Sequence, residues 1–278
     1  MLSYLRRLLP VAALGVLAIL FVAGCEECPE GVPEGGQGNA AIEGIVHDAI
    51  SGAGVDGAHL QAGDAETNTD TSGYFLLSGV EAGDVSLEIS ADGYVTGNFD
   101  LELAEAETLW QDFTILPLST TDEYRIVLTW GLNPDDLDSH LWIPDGSGYW
   151  HVYYGWDGYL DQPPYAQLDT DDTSSYGPET ITIRKHEIEG ALSMDYYQGE
   201  YIYAIHHYSG ESDIPNSGAQ VRVYSGNTLI QTINAPSGTA YDDWFWYVGR
   251  LNCRTGQWTL VNTYSANPPV PYMRGAEK

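Results

Sequence analysis

The sequence predicts an all-β protein with two β-sandwich domains in tandem. Three observations support this class. Short apolar runs of strand length recur between turn signals, 31 glycines supply many turns, and helical spacing is not sustained anywhere beyond the first 24 residues, apart from a short segment near Ala104. The chain also has 43% hydrophobic residues, 20 tyrosines and 8 tryptophans. This is ample material for packed cores and unlike a disordered acidic chain.

The N-terminus has the pattern of a secretory signal peptide. Two arginines precede an apolar segment, residues 8–23, and small residues then lead to Cys25. The segment is shorter than a membrane span, which needs about 20 residues. The alternative to a cleaved signal peptide is an uncleaved anchor helix. The sequence Val22-Ala23-Gly24-Cys25 resembles the lipobox of bacterial lipoproteins, which implies cleavage after residue 24 and a lipid on Cys25. We therefore predict a signal peptide over 1–24 and an outer-membrane lipoprotein of the cell envelope, facing the periplasm or the surface.

Residues 25–40 are rich in Gly, Pro and Glu and predict a flexible linker. Cleavage before Cys25 removes two arginines and takes the net charge from −30 to −32. This charge disfavours nucleic acid and anionic lipid surfaces as partners. It is explained by high solubility, by binding of divalent cations or by binding of basic partners. Whether Cys28 and Cys253 form a disulfide is not decided by the sequence, because sequence alone does not fix connectivity.

The first predicted sandwich spans residues 41–117. Strands are predicted at Ile42–His47, Tyr74–Leu77 and Val85–Ser90, the last alternating with period two. A turn is predicted at Ser51–Gly54.

This segment resembles the carboxypeptidase regulatory-like domain, a transthyretin-related β-sandwich. The resemblance rests on Gly44-Ile45-Val46 with Ser51-Gly52, on Thr69-Asp70-Thr71-Ser72-Gly73-Tyr74-Phe75, and on Asp92-Gly93-Tyr94. It implies a spacer or adhesive module without catalytic residues of its own.

A short connection leads to the second predicted sandwich, residues 123–264. Tyr124–Trp130 begins it, and Gly199–Tyr208 is a long strand candidate. Ala219–Tyr224 and Thr228–Ile233 flank Ser225-Gly226-Asn227, which predicts a hairpin. Strands at Trp244–Val248 and Trp258–Val261 close the domain. We expect a disordered tail at 265–278, which is rich in proline.

Candidate metal ligands cluster in two acidic segments of the second domain. In the first, Asp136, Asp138 and His140 are two residues apart, so a strand directs all three to one face. Nearby carboxylates repel each other unless a cation or a proton lies between them. The second segment follows about 30 residues later. If the segments meet, they form a calcium site, because Ca²⁺ takes six to eight oxygen ligands. The candidate ligands are Asp136, Asp138, Asp169, Asp171, Asp172 and Glu179.

This site is not an EF-hand, since Ser174 stands where that loop has glycine and Thr180 where it has glutamate. A plain acidic turn without an ion is the alternative, because Asp favours turns. A zinc site with His140 or His151 is a weaker hypothesis, since no zinc ligand spacing is recognisable.

The second domain resembles the YfaP-like family of exported proteins. The resemblance rests on Asp136-Leu137-Asp138-Ser139-His140-Leu141 and on Tyr176-Gly177-Pro178-Glu179. It implies fold and export rather than an activity.

Two functional hypotheses remain open. The first is a non-enzymatic binding or structural module of the envelope, with a carbohydrate or protein ligand and with calcium as a candidate cofactor. The second is a hydrolase of envelope or extracellular polysaccharide or peptide, with Asp136, Asp138 or Glu179 as acid and base, although no G-x-S-x-G motif presents a serine. A ligand surface of aromatic residues fits either hypothesis. Its candidates are Trp150, Tyr153, Tyr154, Trp156 and Tyr159.

Overall fold

The computed structural model describes residues 39–146, 148–185, 199–238, 244–252 and 254–270. These residues form strands and one short 3-10 helix at Ile214–Asn216, so the all-β prediction is confirmed. The predicted signal peptide, Cys25, Cys28 and Cys253 lie outside the described residues. Within the described ranges, no helix is both long and apolar enough to span a membrane.

The first pair of sheets contains eight strands. These are β1 (Asn39–Asp48), β2 (His59–Ala62), β3 (Ala65–Asn68), β4 (Tyr74–Glu81), β5 (Gly83–Ser90), β6 (Gly97–Leu103), β7 (Thr108–Trp110) and β8 (Phe113–Ile115). One sheet has the order β4-β1-β7, with β8 also paired to β1, and the other has the order β3-β2-β5-β6. Alternate residues of β1 are buried, and the core between the sheets includes Ile42, Leu60, Phe75 and Leu87.

A tight turn before β4 depends on Asp70 and Gly73. The Asp70 carboxylate accepts hydrogen bonds from the backbone N–H groups of Ser72 and Tyr74. Gly73 has a φ of +82°, and a Cβ there would lie 2.7 Å from the Cα of Gly54. The turn therefore needs glycine for its backbone conformation and for its close approach to a neighbouring chain segment.

The second pair of sheets contains eleven strands in the described residues. These are β9 (Glu123–Thr129), β10 (Asp136–Pro144), β11 (Tyr149–Val152), β12 (Gly158–Tyr159), β13 (Ala166–Thr170), β14 (Glu179–Arg184), β15 (Glu200–Ser209), β16 (Gln220–Ser225), β17 (Thr228–Asn234), β18 (Phe245–Asn252) and β19 (Gln257–Ser265). The sheet orders are β12-β13-β14-β9-β16-β17 and β11-β10-β15-β18-β19. The core between them includes Ile126, Leu141, Ile181, Tyr203 and Trp246. The predicted hairpin is present, with Ser225 paired to Thr228.

A small apolar cluster joins the two pairs of sheets. Ala49 and Leu116 come from the first pair and its connection, and Val127 and Tyr224 come from the second. Thr170 also donates a hydrogen bond to the carbonyl of Ile50 at 2.5 Å. A cavity of about 270 Å³ lies beside this contact.

The C-terminal segment differs from the predicted disordered tail over its first residues. Ser265 belongs to β19 and pairs with Phe245. Val270 is 7% exposed and packs against Trp142 and Phe245. Burial of this apolar side chain offsets the entropy of ordering a proline-rich segment. Residues 271–278 lie outside the described residues.

Candidate metal centre

The site forms at an incompletely paired edge of β10. This strand pairs with β15 along most of its length, but its pairing with β11 covers only Leu141 to Pro144. The backbone N–H of Ser139 is therefore available to a side chain, and it donates to Oε2 of Glu179 at 2.5 Å. This hydrogen bond links β10 of one sheet to β14 of the facing sheet.

Three carboxylates meet at this edge. Asp138 lies on β10, Asp171 follows β13, and Glu179 begins β14. Each offers an oxygen, and these oxygens lie within 4.8 Å of one another. The structure thus brings together members of both acidic segments that the sequence analysis selected.

Glu179 is the most constrained member of this carboxylate cluster. Its side chain is 0% exposed, and its Oε1 has no hydrogen-bond partner among the described residues. Burial raises the pKa of Glu179 well above its ordinary value, and the charges of Asp138 and Asp171 act in the same direction. Burial also raises the pKa of Asp171, although its side-chain interaction with Glu179 acts in the opposite direction. Carboxylates this close need a proton or a cation between them.

Asp136 and Asp172 flank the cluster without joining it. A register shift between Asp136 and Leu137 displaces Asp136 from the regular alternation of β10. Its side chain is buried, Oδ1 has no partner in the described structure, and burial with the charge of Asp138 raises its pKa to about 7. The Asp172 carboxylate accepts hydrogen bonds from the N–H and hydroxyl of Ser174.

Asp169 lies apart from the cluster. A register shift between Leu168 and Thr170 interrupts the pairing of β13 with β14, so Asp169 and Asp171 do not share a face. The Asp169 carboxylate instead accepts a hydrogen bond from the Thr182 hydroxyl at 2.6 Å. Burial raises its pKa to about 7.

Asp138 also contacts two histidines. Its Oδ2 lies 3.2 Å from Nδ1 of His206 and 3.9 Å from Nε2 of His140. Burial alone would raise the pKa of Asp138, but the interactions with His140 and His206 outweigh it and lower the pKa. Sequence reasoning did not select His206. Only the register between β10 and β15, which pairs Asp138 with His206, could have identified this residue.

Ser139 is fully buried, and its hydroxyl hydrogen-bonds with the Tyr203 hydroxyl at 2.8 Å. Burial raises the pKa of Tyr203. The pair therefore joins β10 to β15 inside the core and does not present an accessible nucleophile.

The five candidate aromatic residues do not form one flat surface. Trp150 and Trp156 stack on each other at 5.5 Å and pack against the core. Tyr153 stacks on His151 at 4.0 Å. Only the remaining two are largely exposed, Tyr154 at 44% and Tyr159 at 45%.

Comparisons with known proteins bear mainly on the first pair of sheets. Residues 41–116 match the carboxypeptidase regulatory-like domain, which confirms that resemblance. No curated protein matches the chain. The YfaP-like resemblance of residues 123–264 and the lipoprotein assignment stay predictions.

Two solved structures are among the matches to this chain. One is a candidate carbohydrate-binding protein from Bacteroides uniformis, with 11% identity, 71% of this chain and 96% of that chain covered, and a TM-score of 0.24. The other is BcpA, the major pilin subunit of Bacillus cereus, with 12% identity, 70% and 67% covered, and a TM-score of 0.25. At these scores neither protein's role transfers to this chain.

Proposed function

We propose that this protein is a non-enzymatic binding or structural module of the bacterial cell envelope, whose second β-sandwich is stabilised by calcium. The observation that carries the calcium proposal is Glu179, a fully buried carboxylate with an unpartnered oxygen beside Asp138 and Asp171. The carboxypeptidase regulatory-like domain at 41–116 supports a structural or spacer role for the first sandwich.

Calcium fits the chemistry of the cluster. All three ligand groups are carboxylates, and Ca²⁺ is a hard cation that takes oxygen ligands in flexible geometry. Backbone carbonyls and water would complete its coordination. An ion there would neutralise the repulsion among the carboxylates and join the sheet of β10 to the sheet of β14.

The remaining parts of the proposal concern location and ligand. The lipid on Cys25 would hold the protein at the outer membrane, and residues 26–38, which precede β1, would keep the folded part away from the lipid surface. The exposed Tyr154 and Tyr159 are the best candidates for contact with a carbohydrate or protein ligand, because tyrosine combines an apolar ring with a polar tip.

Thermal unfolding of the purified protein with calcium, magnesium or chelator tests the ion site. An ion that binds only the folded state stabilises it by about 2.7 kcal/mol at about 100 times Kd, which raises Tm by several degrees. We expect this rise with calcium. Equal Tm values in calcium and in chelator would contradict the proposal.

The E179Q variant makes the test specific. The glutamine carbonyl can still accept the Ser139 N–H, but the variant loses a charged ligand. We expect E179Q to lose the calcium shift and to be at least as stable as the parent in chelator, because it removes a buried carboxylate from the repelling cluster. D169N is the matched control, since Asp169 lies apart from the cluster, and it should keep the shift. A full calcium shift in E179Q would overturn the assignment.

The hydrolase alternative rests on one specific observation. Asp136 has a pKa raised to about 7, whereas the pKa of neighbouring Asp138 is lowered. Two carboxyl groups with pKa values this different can act as general acid, here Asp136, and general base, here Asp138. Turnover of polysaccharide or peptide that disappears in D138N would favour this alternative over the binding module.

A further inference from the structure

A second group of potential metal ligands lies on the outer face of the sheet that contains β10. Leu137, Leu141 and Ile143 of this strand face the core, so Asp138 and His140 project to the opposite face. His206 joins them from the neighbouring strand β15, where it is the direct partner of Asp138. The three ligand atoms lie within 4.8 Å of one another.

The distances suit a small divalent ion with nitrogen and oxygen ligands. Zinc bonds of about 2.0–2.1 Å in a tetrahedral site place neighbouring ligand atoms about 3.3 Å apart. The Asp138 Oδ2 is 3.2 Å from His206 Nδ1 and 3.9 Å from His140 Nε2. Only small side-chain shifts are therefore needed to admit the ion.

His140 provides the independent observation that points to a ligand. Its side chain is 1% exposed, and its Nε2, which faces Asp138, has no hydrogen-bond partner within the described ranges. A buried ring nitrogen that makes no hydrogen bond, and has only the Asp138 carboxylate 3.9 Å away, is costly in a folded protein. A metal ion bound to this nitrogen would remove that cost.

The surroundings hold His140 in a fixed orientation. Its Nδ1 shares a hydrogen bond with Nε2 of His151 at 2.8 Å. Its ring stacks on Trp142 at 5.5 Å and on Tyr153 at 5.4 Å. Metal-binding histidines typically use their second ring nitrogen in this way, which fixes both the tautomer and the ring orientation.

We propose that Asp138, His140 and His206 form a binding site for a divalent transition-metal ion, of which zinc is the representative. Two imidazoles and one carboxylate suit such ions better than calcium, which prefers oxygen alone. Three protein ligands leave one coordination position open, next to the partly exposed His206. Asp138 belongs to both this site and the carboxylate cluster, so the two ions would lie side by side.

Zinc titration of the purified protein by calorimetry, at saturating calcium, tests this site. The expected result is one zinc per chain at this site. H206A should weaken binding at least about tenfold, because even outer partners of metal ligands change affinity by about 10–100-fold. H207A is the matched control: its neighbouring position on β15 faces the other side of the sheet, and it should bind zinc as the parent does.

Three further variants separate this site from the calcium site. E179Q should lose calcium and keep zinc, D138N should weaken both, and H151A should weaken zinc alone while its Tm in chelator reports any folding defect. Cobalt substitution gives a spectroscopic readout, since the absorption of tetrahedral cobalt should appear in the parent and vanish in H206A. A parent that binds no zinc, or an H206A variant that binds it normally, would overturn the proposal.

Discussion

Glu179 and Asp138 determine the chemistry of the second sandwich at the scale of single residues. Glu179 is sealed between two sheets beside other carboxylates, and Asp138 contacts both these carboxylates and two histidines. A buried negative charge without a counter-charge is costly, so this arrangement needs protons or the cations that we propose to neutralise it.

His47 gives the first sandwich a stability that depends on pH. Burial alone would lower its pKa, but the hydrogen bond to Asp112, at 3.3 Å, and the contact with the Gly52 carbonyl raise it above 6.5. A raised pKa in the folded state means that protonated His47 adds stability below pH 6.5. That contribution is lost as the pH rises through the folded-state pKa.

We therefore predict that the urea midpoint of the parent falls more between pH 5.5 and pH 8.5 than the midpoint of H47Q. Equilibrium unfolding of both proteins at the two pH values measures the difference. H59Q, which alters a partly exposed histidine of β2, controls for the loss of a histidine as such. Identical pH dependence in parent and H47Q would refute the assignment.

Individual strands and turns decide which residues meet. Period-two alternation predicts the burial pattern of β1 and the face that Asp138 shares with His140, because both depend only on local backbone geometry. The bulge that separates Asp169 from Asp171 depends on how β13 pairs with β14. The meeting of Asp138 and His206 depends on the register of strands about 70 residues apart. The alternation of residues along one strand predicts neither the position of this bulge nor the register between β10 and β15.

The turn at Gly73 offers a test at the same scale. Gly73 and Gly93 have similar φ values, +82° and +86°, but only Gly73 has backbone atoms within 3 Å of a Cβ position. Both alanine variants adopt an unfavourable conformation, which costs about 1 kcal/mol, and G73A adds a steric clash. We expect G73A to lower the free energy of unfolding by about 1–3 kcal/mol more than G93A does, as for other overpacked sites, measured by urea unfolding. Equal losses would show that the close approach is unimportant.

The whole molecule depends on contact between the two pairs of sheets. Leu116 is almost fully buried in the cluster that joins them, whereas Leu118, two residues later, is exposed. Composition and strand patterns predicted two sandwiches, but this contact was not predicted, because the apolar residues that form it are few and come from four separate segments.

Truncation of Leu116 tests the coupling between the sandwiches. L116A should cost about 2–5 kcal/mol, as for other buried leucines, and should separate the unfolding of the two sandwiches in scanning calorimetry. L118A should change stability by no more than about 0.5 kcal/mol. A single unshifted transition in L116A would show that the sandwiches do not stabilise each other through this cluster.

Crystallography of the protein grown with calcium tests the central claim most directly. The account predicts an ion bound by carboxylate oxygens of Asp138, Asp171 and Glu179 at about 2.3–2.6 Å, and no ion at that position in E179Q. Crystals with saturating calcium in which these carboxylates hydrogen-bond to one another, with no ion among them, would contradict it.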